Sequence, residues 1–236
     1  MSPDVSDTAV VEALIGHRFG DPALLETALT HPSRTHEVEG GESNERLEFL
    51  GDAVLDLVVA QALFDAHPEW TEGELTRARA ALVNTRQLAE RSRALGFDEH
   101  VRLGRTEQRT GGADKDSILG NLFEAIVGAV YLDGGLAPVR TLVQNAFGSE
   151  LGAETSVPER DPKTAFQEWA HDRFRKTPAY RTLVDTGVAD DERRFTIEVS
   201  IDAEEWGRGV ARTKRQAERL AAEAALERAL RESPSA

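Results

Sequence analysis

The sequence predicts a helical domain followed by a small α+β domain of order α-β-β-β-α, and three observations carry that prediction. Apolar residues recur at helical spacing in residues 44–56 and 116–135. Three alternating segments between 180 and 212 are framed by a helical pattern on either side. Between these regions, residues 148–160 (GSELGAETSVPER) are small, polar and interrupted by Pro158, which is the composition of a linker. The boundary is therefore placed near 152–161, giving modules at 1–152 and 161–232 joined by residues 153–160. A chain of 236 residues, 40% of them hydrophobic, can supply one medium and one small core.

The first helix, NERLEFLGDAVLD at 44–56, is unusual in its polar face. With about 100° per residue, Glu45, Glu48, Asp52 and Asp56 fall within an arc of about 80°, with Leu47, Leu50, Val54, Leu57 and Val58 roughly opposite. Unpaired carboxylates repel one another and are expensive to desolvate, so such a cluster needs a cation or solvent. A hard metal such as magnesium, held by oxygen ligands, meets that need. An amphipathic helix with an acidic solvent face has the same spacing. Phe49 argues against it, because a large ring on the carboxylate side fits an anchor into a partner.

The next helix, DSILGNLFEAIVGAVYLDGG at 116–135, is apolar nearly all round and closed by Gly134 and Gly135, so it should run through the core. Its few polar residues stand out for that reason. Ser117, Asn121 and Glu124 share one stripe with Gly128. If this helix crosses the first so that Glu48 and Asp52 face Asn121 and Glu124, four oxygen donors surround one site with room for waters. An ordinary paired core carboxylate would explain Glu124 alone.

Past the linker, DPKTAFQEWAHDRF (161–174) opens with Asp161 as a cap and Pro162 in the first turn, and buries Phe166, Trp169 or Ala170, and Phe174. YRTLVDTG (180–187), RRFTIEVSID (193–202) and EWGRGVAR (205–212) alternate as an antiparallel sheet would. TKRQAERLAAEAALERAL (213–230) closes the module as an alanine-rich helix with Lys214 and Arg215 in its first turns. Gly209–Ala211 reads as a turn before it that presents backbone NH groups.

Composition excludes several classes. The absence of cysteine rules out a disulfide framework and a thiolate site, and the six histidines show no metal-ligand spacing, reading as surface or packing residues. No basic-then-apolar leader and no apolar run of membrane length are present, so a soluble, cytoplasmic protein is expected. The net charge of −14 would argue against a nucleic-acid partner were it uniform. Residues 161–232 hold 15 acidic and 14 basic groups, so nearly all the excess lies in the first 160 residues, where it suits a metal site.

The stretch ERLEFLGDAVL (45–55) resembles the hallmark segment of the ribonuclease III endonuclease domain. TEGELTRARAALVN (71–84), the GG and KDSIL region (111–119) and FEAIVGAVYLDGG (123–135) resemble its further blocks in the expected order. The resemblance implies an all-α endonuclease domain. It also implies a homodimer in which each subunit cuts one strand of an RNA duplex, leaving a 5′-phosphate and a short 3′ overhang, in processing of ribosomal or messenger RNA. Glu48, Asp52, Asn121 and Glu124 would hold magnesium, with manganese able to substitute, and Asp52 and Glu124 would be catalytic. Glu45 and Glu72 match further acidic positions that order waters or a second, RNA-borne cation. Phe49 becomes a knob entering a cavity of the partner subunit.

Residues 161–232 resemble a double-stranded RNA-binding domain. By that resemblance Thr164, Gln167 and Glu168 face the minor groove, while Arg212, Lys214 and Arg215 meet phosphates across the major groove, so that A-form shape is read more than sequence. Three departures matter. The loop at 187–195 carries Asp190 and Asp191 where family members often place a histidine, and Glu218 stands at the third basic position of the last helix. Asn121 stands where aspartate is common, lowering metal affinity without removing a ligand oxygen. Beside an active nuclease, a non-cleaving RNA-binding protein and a ribosome-associated scaffold use the same fold; the three retained carboxylates favour the enzyme.

Overall fold

The computed structural model describes residues 5–35, 37, 41–152, 155–157 and 160–232. Within the expected linker, residues 153, 154, 158 and 159, including the interrupting Pro158, lie outside the described residues. The chain divides into two compact units, Met1–Pro158 and Glu159–Ala236. No helix among the described residues is long and apolar enough to cross a membrane.

The first unit runs α1 (Val5–Ile15), α2 (Pro22–Ala28), α3 (Pro32–Thr35), α4 (Glu45–Ala66), α5 (Glu72–Leu82), α6 (Thr85–Ala94), α7 (Arg105–Arg109), α8 (Asp116–Gly134) and α9 (Leu136–Phe147). Helix starts follow local chemistry. Asp21 caps α2 ahead of Pro22, Asn84 caps α6, and Thr71 and Glu74 form a reciprocal capping box on α5. Helix α8 is the axis, with Leu119, Leu122, Phe123, Ile126, Val127 and Val130 fully buried. Helices α2, α4, α6 and α9 pack around it.

Helix α4 packs by Leu47, Gly51, Val54, Leu55, Val58, Val59 and Leu63. That arc turns away from Leu57, which is 54% exposed rather than packed as its spacing predicts. Leu57 instead shares an outward face about 80° wide with Phe49 and Phe64, which are 82% and 66% exposed.

The second unit comprises α10 (Pro162–Phe174), β1 (Ala179–Asp185), β2 (Phe195–Ile201), β3 (Glu204–Ala211) and α11 (Lys214–Glu232). The sheet is antiparallel in the order β1-β2-β3. Ile197, Val199 and Ile201 alternate inward along β2 and meet Phe166 and Ala170 of α10 and the alanines of α11. Asp161 accepts hydrogen bonds from the Lys163 and Thr164 amides, the cap its position predicts. Two expectations are corrected. Phe174 is 39% exposed because it ends α10, although its ring still touches Trp169 and Trp206. Gly209–Ala211 is not a turn: these residues pair with Ile197, Thr196 and Phe195 inside β3 and extend the sheet.

Candidate active site and nucleic-acid interface

The crossing of α4 over α8 is made by two glycines. A Cβ built on Gly51 would lie 1.7 Å from the Glu124 carbonyl oxygen, and one on Gly128 would lie 2.3 Å from that of Leu47. Only hydrogen at both positions lets the backbones meet. The contact sets the first turns of α4 beside the Asn121–Glu124 turn, the juxtaposition that spacing alone left open.

Electrostatics follow from that placement. Burial pushes the Glu124 carboxyl up to about 7, and Asp52, Glu48 and Asp56 push in the same direction. Burial likewise raises Glu48, opposed by a hydrogen bond from the Asn121 side chain and reinforced by Glu45 and Asp52. Glu124 therefore faces three carboxylates and has no ion-pair partner among the described residues. Asp56 differs, because Arg79 lies 3.2 Å away; burial still raises its carboxyl against that cation.

Among the described residues no three His, Cys, Asp or Glu side chains converge at metal-ligating distance. The wall nevertheless offers oxygen donors from the carboxylates of Glu48, Asp52 and Glu124 and from the amide carbonyl of Asn121. An oxygen set with excess negative charge around a desolvated carboxylate fits a hard divalent cation.

The outlying acidic residues fall elsewhere. Glu45, exposed at the start of α4, accepts a hydrogen bond from Ser43 and acts on Glu48. Glu72, in the first turn of α5, accepts from Thr76 and is not among the groups that shift Glu124. Sequence reasoning missed Gly51, Arg79 and a cluster beside Glu45. In that cluster His31, taken for a surface or packing residue, is lowered by burial and Lys115 while Glu107 and Glu45 pull it upward. Lys115 and Glu107 are themselves 2.5 Å apart. Long-range pairing of this kind leaves no trace in local spacing.

Phe49 itself lines a pocket together with Leu24, Leu47, Leu50 and Leu132 and with the polar Asp21, Thr27, Glu42, Ser43, Glu45 and Arg46. In the second unit Thr164, Gln167 and Glu168 are all exposed on α10, and Arg212, Lys214 and Arg215 are exposed at the start of α11. Thr164, Gln167 and Arg215 line one cleft together with Lys163, Gln216 and Arg219. Arg212 and Lys214 lie outside it. Glu218 pairs with Lys163 at 2.8 Å, so the acidic residue at the third basic position is matched by a cation on α10.

A helical unit with an acidic wall, joined to an α-β-β-β-α unit with a basic helix start, defines a nuclease-like domain with a nucleic-acid-binding module. Residues 21–151 match the ribonuclease-III-like family model, and residues 162–228 match the double-stranded RNA binding motif. The chain is 42% identical to Ribonuclease 3 of Bdellovibrio bacteriovorus, covering 94% of this chain and 96% of that protein. It is 44% identical to Ribonuclease 3 of Geobacter metallireducens, covering 92% and 90% respectively. The solved nuclease domain of ribonuclease III from Campylobacter jejuni, described for flexibility in a region involved in dimer formation, aligns with a TM-score of 0.56 at 37% identity. That alignment spans 62% of this chain and 98% of the solved one. The chain belongs to the ribonuclease III family, and its enzyme class is that of a ribonuclease III-type endoribonuclease.

Proposed function

We propose that this protein is a magnesium-dependent homodimeric nuclease that cleaves both strands of an RNA duplex, leaving 5′-phosphates and short 3′ overhangs, in processing of ribosomal or messenger RNA in the cytoplasm. The observation that carries the reading is the Gly51–Gly128 crossing, which sets Glu48, Asp52, Asn121 and Glu124 on one wall. These four residues would hold the cation, with manganese able to replace magnesium. Bound there, it would make water acidic enough to attack phosphorus at neutral pH and would offset charge on the departing 3′ oxygen. Drawing like charges toward one point is work that the cation favours and its absence opposes. Asp52 and Glu124 act as catalytic ligands, and Glu45 and Glu72 stand by to order water or a second cation carried by RNA. Thr164, Gln167 and Glu168 meet the minor groove, and Arg212, Lys214 and Arg215 the phosphates. Incubating the protein with a long RNA duplex, with magnesium or with chelator, and sizing the products tests the reading. An intact duplex after long incubation with magnesium would refute it.

The dimer is supported by Phe49, Leu57 and Phe64, three large apolar side chains left exposed along one face of α4, as an interaction surface would leave them. In a twofold assembly each Phe49 enters the other subunit's pocket on its Leu24, Leu50 and Leu132 side. Phe49→Ala is expected to weaken dimerisation by about 2–4 kcal/mol, the scale of a buried aromatic anchor. An unchanged dimer equilibrium in sedimentation would assign the ring another role.

Asn121→Asp probes the metal ligands. A fourth carboxylate should lower the magnesium concentration that gives half-maximal cleavage. It should also destabilise the metal-free chain by added repulsion and enlarge the rise in melting temperature caused by magnesium. If neither the midpoint nor the melting shift changes, Asn121 is not a ligand.

A further inference from the structure

The turn between β1 and β2 holds a carboxylate against a cation assigned to RNA. Asp190 Oδ1 accepts a hydrogen bond from the Arg212 guanidinium at 2.8 Å. The loop that presents it is braced from within. Asp191 accepts from the Arg193 amide at 2.8 Å and from the Thr186 hydroxyl at 3.0 Å. Asp185 accepts from the Gly187 amide at 2.9 Å and from Arg194 Nε at 3.0 Å. The Thr186 amide donates to the Arg194 carbonyl and the Arg194 amide to the Asp191 carbonyl, closing the turn. Asp190 is thus carried by a folded turn rather than by a free chain. Lys214 and Arg215, close behind Arg212 in sequence, have no ion-pair partner among the described residues.

We propose that Asp190 is an internal competitor of RNA phosphate for Arg212, so that the duplex must displace a carboxylate to gain this contact. The inference rests on the RNA-binding reading above. The pair is exposed, 51% for Arg212 and 86% for Asp190, so it does little for folding. Its effect is on availability: a guanidinium engaged by a carboxylate cannot offer the same N–H groups to a phosphate. The displaced Asp190 stays beside the incoming phosphate and repels it, so both consequences lower affinity. The residue therefore limits how tightly the second unit holds RNA and makes stable capture depend more on contacts made elsewhere.

The test measures binding of a labelled RNA duplex to the full chain in chelator, where metal-dependent cleavage is off. Asp190→Asn is expected to tighten binding about 3- to 10-fold, the scale of releasing one surface ion pair and removing a nearby like charge. Glu192→Gln removes the same charge two residues away without touching Arg212, and is expected to change affinity by less than about twofold. In an Arg212→Ala background the gain from Asp190→Asn should vanish. No gain from Asp190→Asn, an equal gain from Glu192→Gln, or a full gain without Arg212 would each overturn the proposal. A wild-type chain that fails to bind the duplex would overturn the RNA reading itself, a result distinguishable from normal binding that Asp190 does not affect.

Discussion

Glu124→Gln is expected to slow duplex cleavage by about 10³-fold or more while leaving duplex affinity in chelator within about twofold. The first figure corresponds to removing about 4 kcal/mol of charge stabilisation at the metal, at 1.36 kcal/mol per tenfold in rate. The second follows because the substitution preserves shape and touches none of the groups assigned to RNA. Single-turnover cleavage at saturating enzyme, paired with a binding titration, separates the two effects. A variant that cuts near the wild-type rate would remove Glu124 from the mechanism.

The same substitution should weaken a pH effect on stability. In the metal-free fold the Glu124 carboxyl sits at about 7, raised by burial and then by Asp52, Glu48 and Asp56. Its ordinary value is 4.5, so between these limits the folded chain holds a proton that the unfolded chain has released. This group's favourable contribution is fully present below pH 4.5 and is lost as pH rises through about 7. Thermal melts in chelator should therefore show a fall in stability across that window that is smaller in Glu124→Gln. Magnesium competes with the proton, so its stabilising effect should grow as pH rises through the same range. Identical pH profiles for the two proteins in chelator would show that Glu124 is not the desolvated group.

Much of this was legible in the sequence because it is local. The cap at Asp161, the apolar circumference of α8, the alternation of β2 and the carboxylate spacing of α4 are each set by neighbours within a turn or two, which periodicity reads directly. The errors lie where a distant element decides. Leu57 has a packing position on a helical wheel, yet the core wraps toward Leu55 and Val59 and leaves it outside with Phe64. Gly209–Ala211 resembles a turn by composition, and only the partner strand β2 makes it sheet. The site divides in the same way. The residues proposed as its ligands stand out as stripes on two helices, whereas Arg79 beside Asp56, the His31 cluster beside Glu45 and the Asp190–Arg212 pair come from segments that meet only in the fold.

Gly51→Ala is expected to be among the most damaging single-methyl additions in the first unit. By helix propensity alone alanine should stabilise α4 by about 1 kcal/mol. The crossing reverses the sign. The added Cβ would lie 1.7 Å from the Glu124 carbonyl oxygen, 2.6 Å from its carbon and 2.9 Å from the Gly128 nitrogen. All three are backbone atoms of a helix buried on most sides, so no side chain can swing away and the helices themselves must separate. Overpacking a core costs about 1–3 kcal/mol when side chains adjust. Here the net loss should be about 3 kcal/mol or more, a fall in melting temperature of about 6–12 °C for a domain of this size. The separation also draws Glu48 and Asp52 away from Asn121 and Glu124, so the stabilisation by magnesium should shrink along with cleavage. Ala81→Gly, at an exposed position of α5, should lose only the propensity difference and keep both metal response and activity. A Gly51→Ala chain that melts within about 2 °C of the parent and cleaves with the same magnesium midpoint would mean that the two helices do not meet at this point, and the four-donor wall would have to be abandoned.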